Sequence, residues 1–527
     1  MTETVKKEFG KVRSLLWPIH NFELKKLLPM LLMFFGISFN YTILRDMKDT
    51  LVITAGGSGA EVIPFLKFWG VLPCAILFML IFAKLSNKLS KPALFYTILS
   101  PFLIFFALFA LVLYPAKDVL HPNALADKLQ LLLPSGFMGM IAVFRNWMFS
   151  VFYVLAELWG SVVLSLLFWS FANDITKVKE AKRFYALFLT GANVALLVSG
   201  PTIRYLAKLP GRVAQTAGID PWGVTINKLM FLAVAMGLLI MACYWWINKN
   251  VLTDSRFYSP EEQKSSKKTK PKLSMKNSFK FLMKSKYLGL LAIIVISYGI
   301  AINLVEVSWK AQVKIQFPEP NSYMAFMGSF SFFTGLVTVF TTLFLGGNIM
   351  RKFGWRVSAF ITPIVLIVSG ITFLSFIVFK SHLPPYLMGG LALQMFIVLL
   401  GATQNILSKS SKYTFFDPTK EMAYIPLDQE SKFKGKAAID VVGARLGKSG
   451  GALLQQGLII MCGGLIGAAP VIIMGIVIVI VIMWIISAHN LSKRFEDKSK
   501  EAEKKKVTED DLELVATPVS SETKKSK

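Results

Sequence analysis

The sequence is short of the residues that redox, metal and proton-relay chemistry require. Its three cysteines, Cys74, Cys243 and Cys462, lie far apart within apolar runs, which suits neither a disulfide framework nor a metal site. The four histidines fall near predicted helix ends or in loops and form no HExxH-type pattern, so zinc and a membrane-embedded histidine relay are excluded as readings. No cofactor is expected. Acids are also scarce: 31 Asp and Glu stand against 58 Lys and Arg, a formal net charge of +27. Charged residues make up only 17% of the 527, while 54% are hydrophobic and mean hydropathy is +0.55, too apolar for a string of soluble domains. The chain reads as a polytopic membrane protein. On a soluble protein such a basic excess would suggest nucleic acid as the partner. Membrane proteins collect Lys and Arg in cytoplasmic loops, so the partner expected here is the bilayer, with no nucleic acid.

Spanning helices need about 20 predominantly apolar residues. Such runs occur at about 24–44, 62–83, 92–115, 137–172, 183–206 and 224–248, and again at about 284–307, 322–346, 356–380, 384–410, 435–461 and 463–488. Between the two sets lies a Lys-, Ser- and Pro-bearing linker, 249–283. The expected fold is therefore all-α: twelve transmembrane helices in two pseudo-symmetric six-helix bundles, 24–248 and 284–490. A basic N-terminal segment, 1–23, reads as a surface helix and not a signal peptide, and a charged tail, 491–527, reads as exposed helix or disorder. With twelve spans, most basic clusters fall on one side, which places both termini and the linker in the cytoplasm. Arg204, Lys208 and Arg212 are exceptions, in a predicted outer loop. The loop GGNIMRKFGWR is similar to the short Gly and basic loop of the major facilitator superfamily, and the layout is that of a transporter with its site between the bundles.

Charges inside spans are costly, which makes each one a candidate for function. Glu157 lies in FYVLAELWGSVVLSLLFWSF with no base within two turns, and Glu306 lies near Lys310 at the end of the seventh span. Arg45, Lys48, Lys310, Arg445 and Lys448 are cations at or inside span ends, and could either snorkel to the interface or converge on a polyphosphate. GARLGKSGG invites comparison with a P-loop, but only three residues separate Gly443 from the Gly447-Lys448 pair where four are needed, and no strand pattern precedes it. A helix fits better, with Lys436, Asp440, Arg445, Lys448 and Gln455 along a polar face and small residues allowing close packing. Tyr153, Trp159, Phe168, Trp169 and Tyr185 are candidates for stacking a base, in a chain whose 43 Phe make core or lipid-facing roles the commoner ones.

Three segments, ILRDMKDTLVIT, AELWGSVVLSLLFWSFANDITKVKEAKRFYALF and YTFFDPTKEMAYIPLDQESKFKGKAAIDVVGARLGKSGG, resemble signatures of the ATP/ADP translocases of obligate intracellular bacteria and plastids. The resemblance covers nearly the whole membrane region. It implies a twelve-helix, major-facilitator-like antiporter that imports host ATP in exchange for ADP, with inorganic phosphate as a further candidate substrate. A proton-coupled nucleotide symporter is the alternative within the family. It also implies a bacterial inner-membrane location, a monomer, and roles for matching charges: Lys48, Glu157, Glu306 and a late lysine that matches Lys448, with Lys436 the second choice. Lys310, Lys436, Arg445 and Lys448 join Arg45 and Lys48 as phosphate ligands, with Glu157, Glu306 and Asp440 as gating or coupling groups. Unpaired cations that are costly to occlude would slow the return of an empty carrier and so enforce exchange. An enzyme is disfavoured because no catalytic pair or nucleophile with a base is present, and the missing Walker motif excludes an ATP-hydrolysing pump as a single chain.

Overall fold

A computed structural model describes residues 19–210, 218–254, 285–387, 390–428, 444–464 and 469–516, with a few isolated positions between 431 and 439. These residues are almost wholly helical. Within a bilayer every backbone N–H and C=O must be satisfied internally, and helices do this segment by segment.

The long helices are α1 (Leu24–Thr54), α2 (Val62–Lys88), α3 (Lys91–Leu113), α4 (Trp147–Ile175), α5 (Val178–Lys208), α6 (Pro221–Asn250), α7 (Lys286–Gln316), α8 (Pro320–Phe340), α9 (Gly347–Val378), α10 (Leu393–Ser411), α11 (Ala444–Met461) and α12 (Pro470–Ala516). Among the described residues, nine segments are long and apolar enough to cross a membrane, one of them taking in both α8 and α9. Gly354, at φ 76°, breaks the helical path within α9. The helices α10 and α11 fall outside the nine. Each carries a polar load, Gln404, Asn405, Ser408 and Lys409 on α10 and Lys448, Gln455 and Gln456 on α11, and most of these side chains are buried inside the protein. The chain is an all-α polytopic membrane protein.

Several boundaries differ from the sequence reading. The first helix does not stop at residue 44 but continues to Thr54, because the charges that follow are paired inside the protein. The tenth begins at Leu393, after the Pro384-Pro385 turn, which cannot supply helical N–H groups. The twelfth starts with Pro470 at its first position and runs through the charged tail to Ala516.

α1 and α7 are each 31 residues long, and Lys48 and Lys310 occupy the same register, about two turns before the helix end. The starts of α1 and α5 lie together, with Lys26 Nζ 2.7 Å from Glu180 and Arg183 paired with Glu23. That end is where α6 finishes and α7 begins, and is called the linker end; the opposite end is the far end.

Contacts between the helices before residue 250 and those after 286 gather towards the far end. Lys310 bonds Asp49, Arg45 and Asp46 bond Ser331, Thr50 bonds Met324, Thr225 bonds Asn321, Lys314 donates to the Ser58 carbonyl, and Lys67 bonds Asn303 nearer the middle. Pairs at the linker end between described residues stay within one set, such as Lys91–Asp174 and Lys412–Asp417. α5 and α8 touch backbone to backbone: a Cβ on Gly200 would lie 2.6 Å from the Gly328 carbonyl oxygen, and one on Gly328 would lie 2.7 Å from that of Gly200.

Candidate functional site

The far-end half of α1 carries RDMKD, two cations and two acids within five residues, which is intelligible only if their partners face them. Asp46, Lys48, Asp49 and Lys310 are between 0% and 3% exposed, so each charge must be compensated by protein. Asp49 supplies the centre: one carboxylate oxygen lies 2.8 Å from Lys48 Nζ and the other 2.8 Å from Lys310 Nζ. Lys48 also reaches Glu157 at 3.3 Å and sits 3.9 Å above the Tyr153 ring, a cation–π contact from α4. Lys310 reaches Glu306 one turn back at 3.2 Å, and Lys409 of α10 reaches the same Glu306 oxygen, also at 3.2 Å.

The result is a continuous row, Glu157, Lys48, Asp49, Lys310, Glu306, Lys409, that passes from α4 through α1 and α7 to α10. Arg45 flanks it, donating to Asp46 at 3.1 Å and to the Ser331 hydroxyl at 2.8 Å, while that hydroxyl donates to Asp46 at 2.6 Å. Lys67, carried on a wide π turn of α2 (Leu66–Val71), donates to Asn303 Oδ1 at 2.5 Å and feels the charges of Glu306 and Lys310. Lys448 is exposed, makes no ion pair among the described residues, and its charge acts on Glu157. α11 packs against α7 through Gly447 and Gly299, where a Cβ on Gly299 would meet the Gly447 Cα at 2.8 Å.

The predicted residues thus separate. Arg45, Lys48, Lys310, Glu157, Glu306 and Tyr153 are brought together, with Lys448 within electrostatic reach. Lys436 stands elsewhere, exposed and paired with Glu421. Asp440 lies outside the described residues, as do Arg212 and the side chain of Arg445. Phe168, Trp169 and Tyr185 cluster with Phe34 and Phe188 at the linker end. Phe168 is fully buried there, and the Tyr185 hydroxyl donates to Asn173 at 2.6 Å. Trp159 is buried, its indole N–H on the Ile37 carbonyl. Arg204 and Lys208 are in the last turns of α5, not in a loop, and line a far-end cleft of about 460 Å³ with Phe317 and Asn321. The sequence reading does not single out Asp46, Asp49, Lys67 or Lys409. Lys67 and Lys409 carry the same signal as Glu157, a charge inside a predicted span, whereas Asp46 and Asp49 lie past residue 44, where the apolar run ends.

Residues 2–495 match the family described as the TLC ATP/ADP transporters. The chain belongs to this family. Among its relatives, "ADP,ATP carrier protein 1" of Chlamydia pneumoniae is 59% identical over 97% of this chain and 99% of its own length. "ADP,ATP carrier protein 1, chloroplastic" of Arabidopsis thaliana is 52% identical over 92% of this chain and 76% of its own. Of solved structures, a bacterial homologue of the iron transporter ferroportin in an inward-facing state superposes with a TM-score of 0.53 at 14% identity, covering 88% of this chain and 98% of that one. At that identity the likeness concerns the fold alone, which is major-facilitator-like. For a TLC transporter the row, buried at Lys48, Asp49 and Lys310 and partly exposed at its ends, is a chemically apt feature. Ammonium and guanidinium groups are strong phosphate donors, and here they are held by carboxylates that a phosphate could replace.

Proposed function

We propose that this chain exchanges ATP for ADP across a membrane by alternating access, with the phosphates held by Lys48, Lys310, Lys409, Arg45 and Lys448. It is a secondary transporter and not an enzyme. The observation that carries the proposal is the row of alternating acids and bases, buried at its centre and partly exposed at its ends, shared between α1, α4, α7 and α10 in a chain of this family. ATP brings about four negative charges and ADP about three, so a site of low dielectric needs several cations to offset desolvation.

In this reading Glu157, Glu306 and Asp49 compete with the phosphates for the same lysines. The idea of unpaired cations resisting occlusion is revised, because Lys48, Lys310 and Lys409 are paired. The barrier lies instead in separating Asp49 from Lys310, the ion pair that ties the two helix sets together at the far end. Nucleotide binding draws Lys310 away from Asp49, loosens the far end and permits the switch. Of the base candidates, Tyr153 is favoured by its position against Lys48. Lys448 is favoured over Lys436 as the late phosphate ligand.

Twelve spans in two bundles of six, 24–248 and 284–490, around the linker 249–283, are part of the proposal, with α10 and α11 as spans whose polar faces line the path. The linker end, rich in Lys and Arg, is then cytoplasmic, together with segment 1–23 and tail 491–527. A monomer in the inner membrane of an intracellular bacterium completes the picture, with inorganic phosphate as a candidate companion of ADP. The test is competition in proteoliposomes: labelled ATP uptake should be suppressed by excess ADP and little affected by GTP or CTP. Equal suppression by all nucleotides would contradict ATP/ADP selectivity.

A further inference from the structure

We propose that the linker end of α7 and α12 holds a binding site for the headgroup of an anionic glycerophospholipid. The two helices line a cavity of about 700 Å³ with matching faces: Lys286, Gly289, Leu290 and Ile293 from α7, and Asn490, Lys493, Arg494 and Asp497 from α12. Both sets follow the i, i+3, i+4, i+7 spacing of one helix face.

The cavity sits where each helix leaves its apolar run. α12 is apolar from Pro470 through Ala488 and turns polar at His489, while α7 turns apolar immediately after Lys286. The headgroup level of a bilayer lies at such a boundary. Lys286, Lys493 and Arg494 are exposed, and among the described residues none of them forms an ion pair, so three cations converge against a single acid in the lining, a net positive cluster. Asp497, the one acid of the lining, is a turn further from the apolar run. Gly289, Leu290 and Ile293 continue the wall towards the membrane interior. A free phosphate would satisfy the cations and leave this apolar wall bare, whereas a phospholipid supplies a phosphodiester for Lys493 and Arg494 and an acyl chain for Leu290 and Ile293. On α7 the site lies at the linker end, away from Glu306 and Lys310 in the far-end half, and it does not depend on the reading of that network.

The experiment uses the full-length protein, purified in detergent, exchanged into phosphatidylglycerol or phosphatidylcholine and examined by native mass spectrometry. Each cation near an anionic lipid surface is worth about fivefold in affinity, so removing all three should weaken phosphatidylglycerol retention about a hundredfold. The variant is Lys286→Gln with Lys493→Gln and Arg494→Gln; the control is Lys84→Gln with Lys88→Gln, exposed cations at the same end of α2. Wild type and control should retain phosphatidylglycerol in preference to phosphatidylcholine, and the triple variant should not. Equal retention of both lipids by wild type, a comparison that needs no variant to fold, would overturn the proposal. So would full retention by the triple variant, or displacement of phosphatidylglycerol by millimolar inorganic phosphate, which would make this a site for the free ion.

Discussion

Asp49→Asn removes the acid that ties Lys48 to Lys310, and its effect can be worked from the geometry. The carboxylate is 1% exposed and lies 2.8 Å from each ammonium. At an effective dielectric of about 20, each contact is worth about 6 kcal/mol of gross Coulomb attraction, most of it cancelled by desolvation. Breaking a buried pair by deleting one partner costs about 3–5 kcal/mol. Lys310 retains Glu306 at 3.2 Å, and Lys48 retains Glu157 at 3.3 Å, so the lower figure applies. Only the Lys310 contact joins the two helix sets, since Lys48 and Asp49 are neighbours on α1. A loss of about 3 kcal/mol in the joined state alone shifts the ratio of far-end-closed to far-end-open protein by about two decades. The assay is a pulsed spin–spin distance measurement between labels at Ile219 and Phe379, two exposed positions outside the network, in a background with Cys74, Cys243 and Cys462 replaced. The distribution should move to longer distances in Asp49→Asn and return towards wild type in Asp49→Glu. An unchanged distribution in a folded Asp49→Asn protein would refute the reasoning.

Three further outcomes are expected. Gly328→Val places atoms where the Gly200 carbonyl already lies at 2.7 Å from a Cβ, so it should lengthen the same 219–379 distance and slow exchange; Gly475→Val, with open space around its Cβ, should do neither. Lys448→Ala should raise the KM for ATP about tenfold or more, the worth of a charge-assisted bond, whereas Lys436→Ala should leave it within about twofold. Burial pushes the His121 imidazole below its ordinary value despite nearby Asp118. Between about pH 6.5 and that lowered value the unfolded chain binds a proton that the folded one does not, so His121 costs stability as pH falls through this window and nothing above it. Thermal unfolding at pH 7.5 and 5.5 should show His121→Asn losing less to acid than wild type, and parallel losses would count against the assignment.

Much of the fold is legible in the apolar runs, because a bilayer demands about 20 such residues per helix whatever the packing. The site is less so. Glu157, Glu306, Lys48 and Lys310 stand out as charges in or beside apolar stretches, yet Asp46 and Asp49 fall in a segment that hydropathy alone ends at residue 44. Hydropathy counts each charge at full cost, and a carboxylate between two lysines is compensated only once α7 has packed against α1. Lys409 reads as a member of a cytoplasmic basic cluster for the same reason: its partner Glu306 is a hundred residues away in the chain and adjacent in space. The aromatics are harder still. Tyr153 and Phe168 sit on the same helical stretch, one against Lys48 and the other in a packed cluster at the linker end, and nothing in a chain with 43 Phe distinguishes them before folding.

Counterflow in proteoliposomes bears most directly on the central claim. Vesicles loaded with ADP, loaded with buffer alone, or loaded with buffer and given an inward proton gradient are offered labelled ATP. Exchange predicts rapid uptake only into the ADP-loaded vesicles, with no stimulation by the gradient; uptake into unloaded vesicles at the same rate, or uptake driven by protons without internal nucleotide, would contradict it.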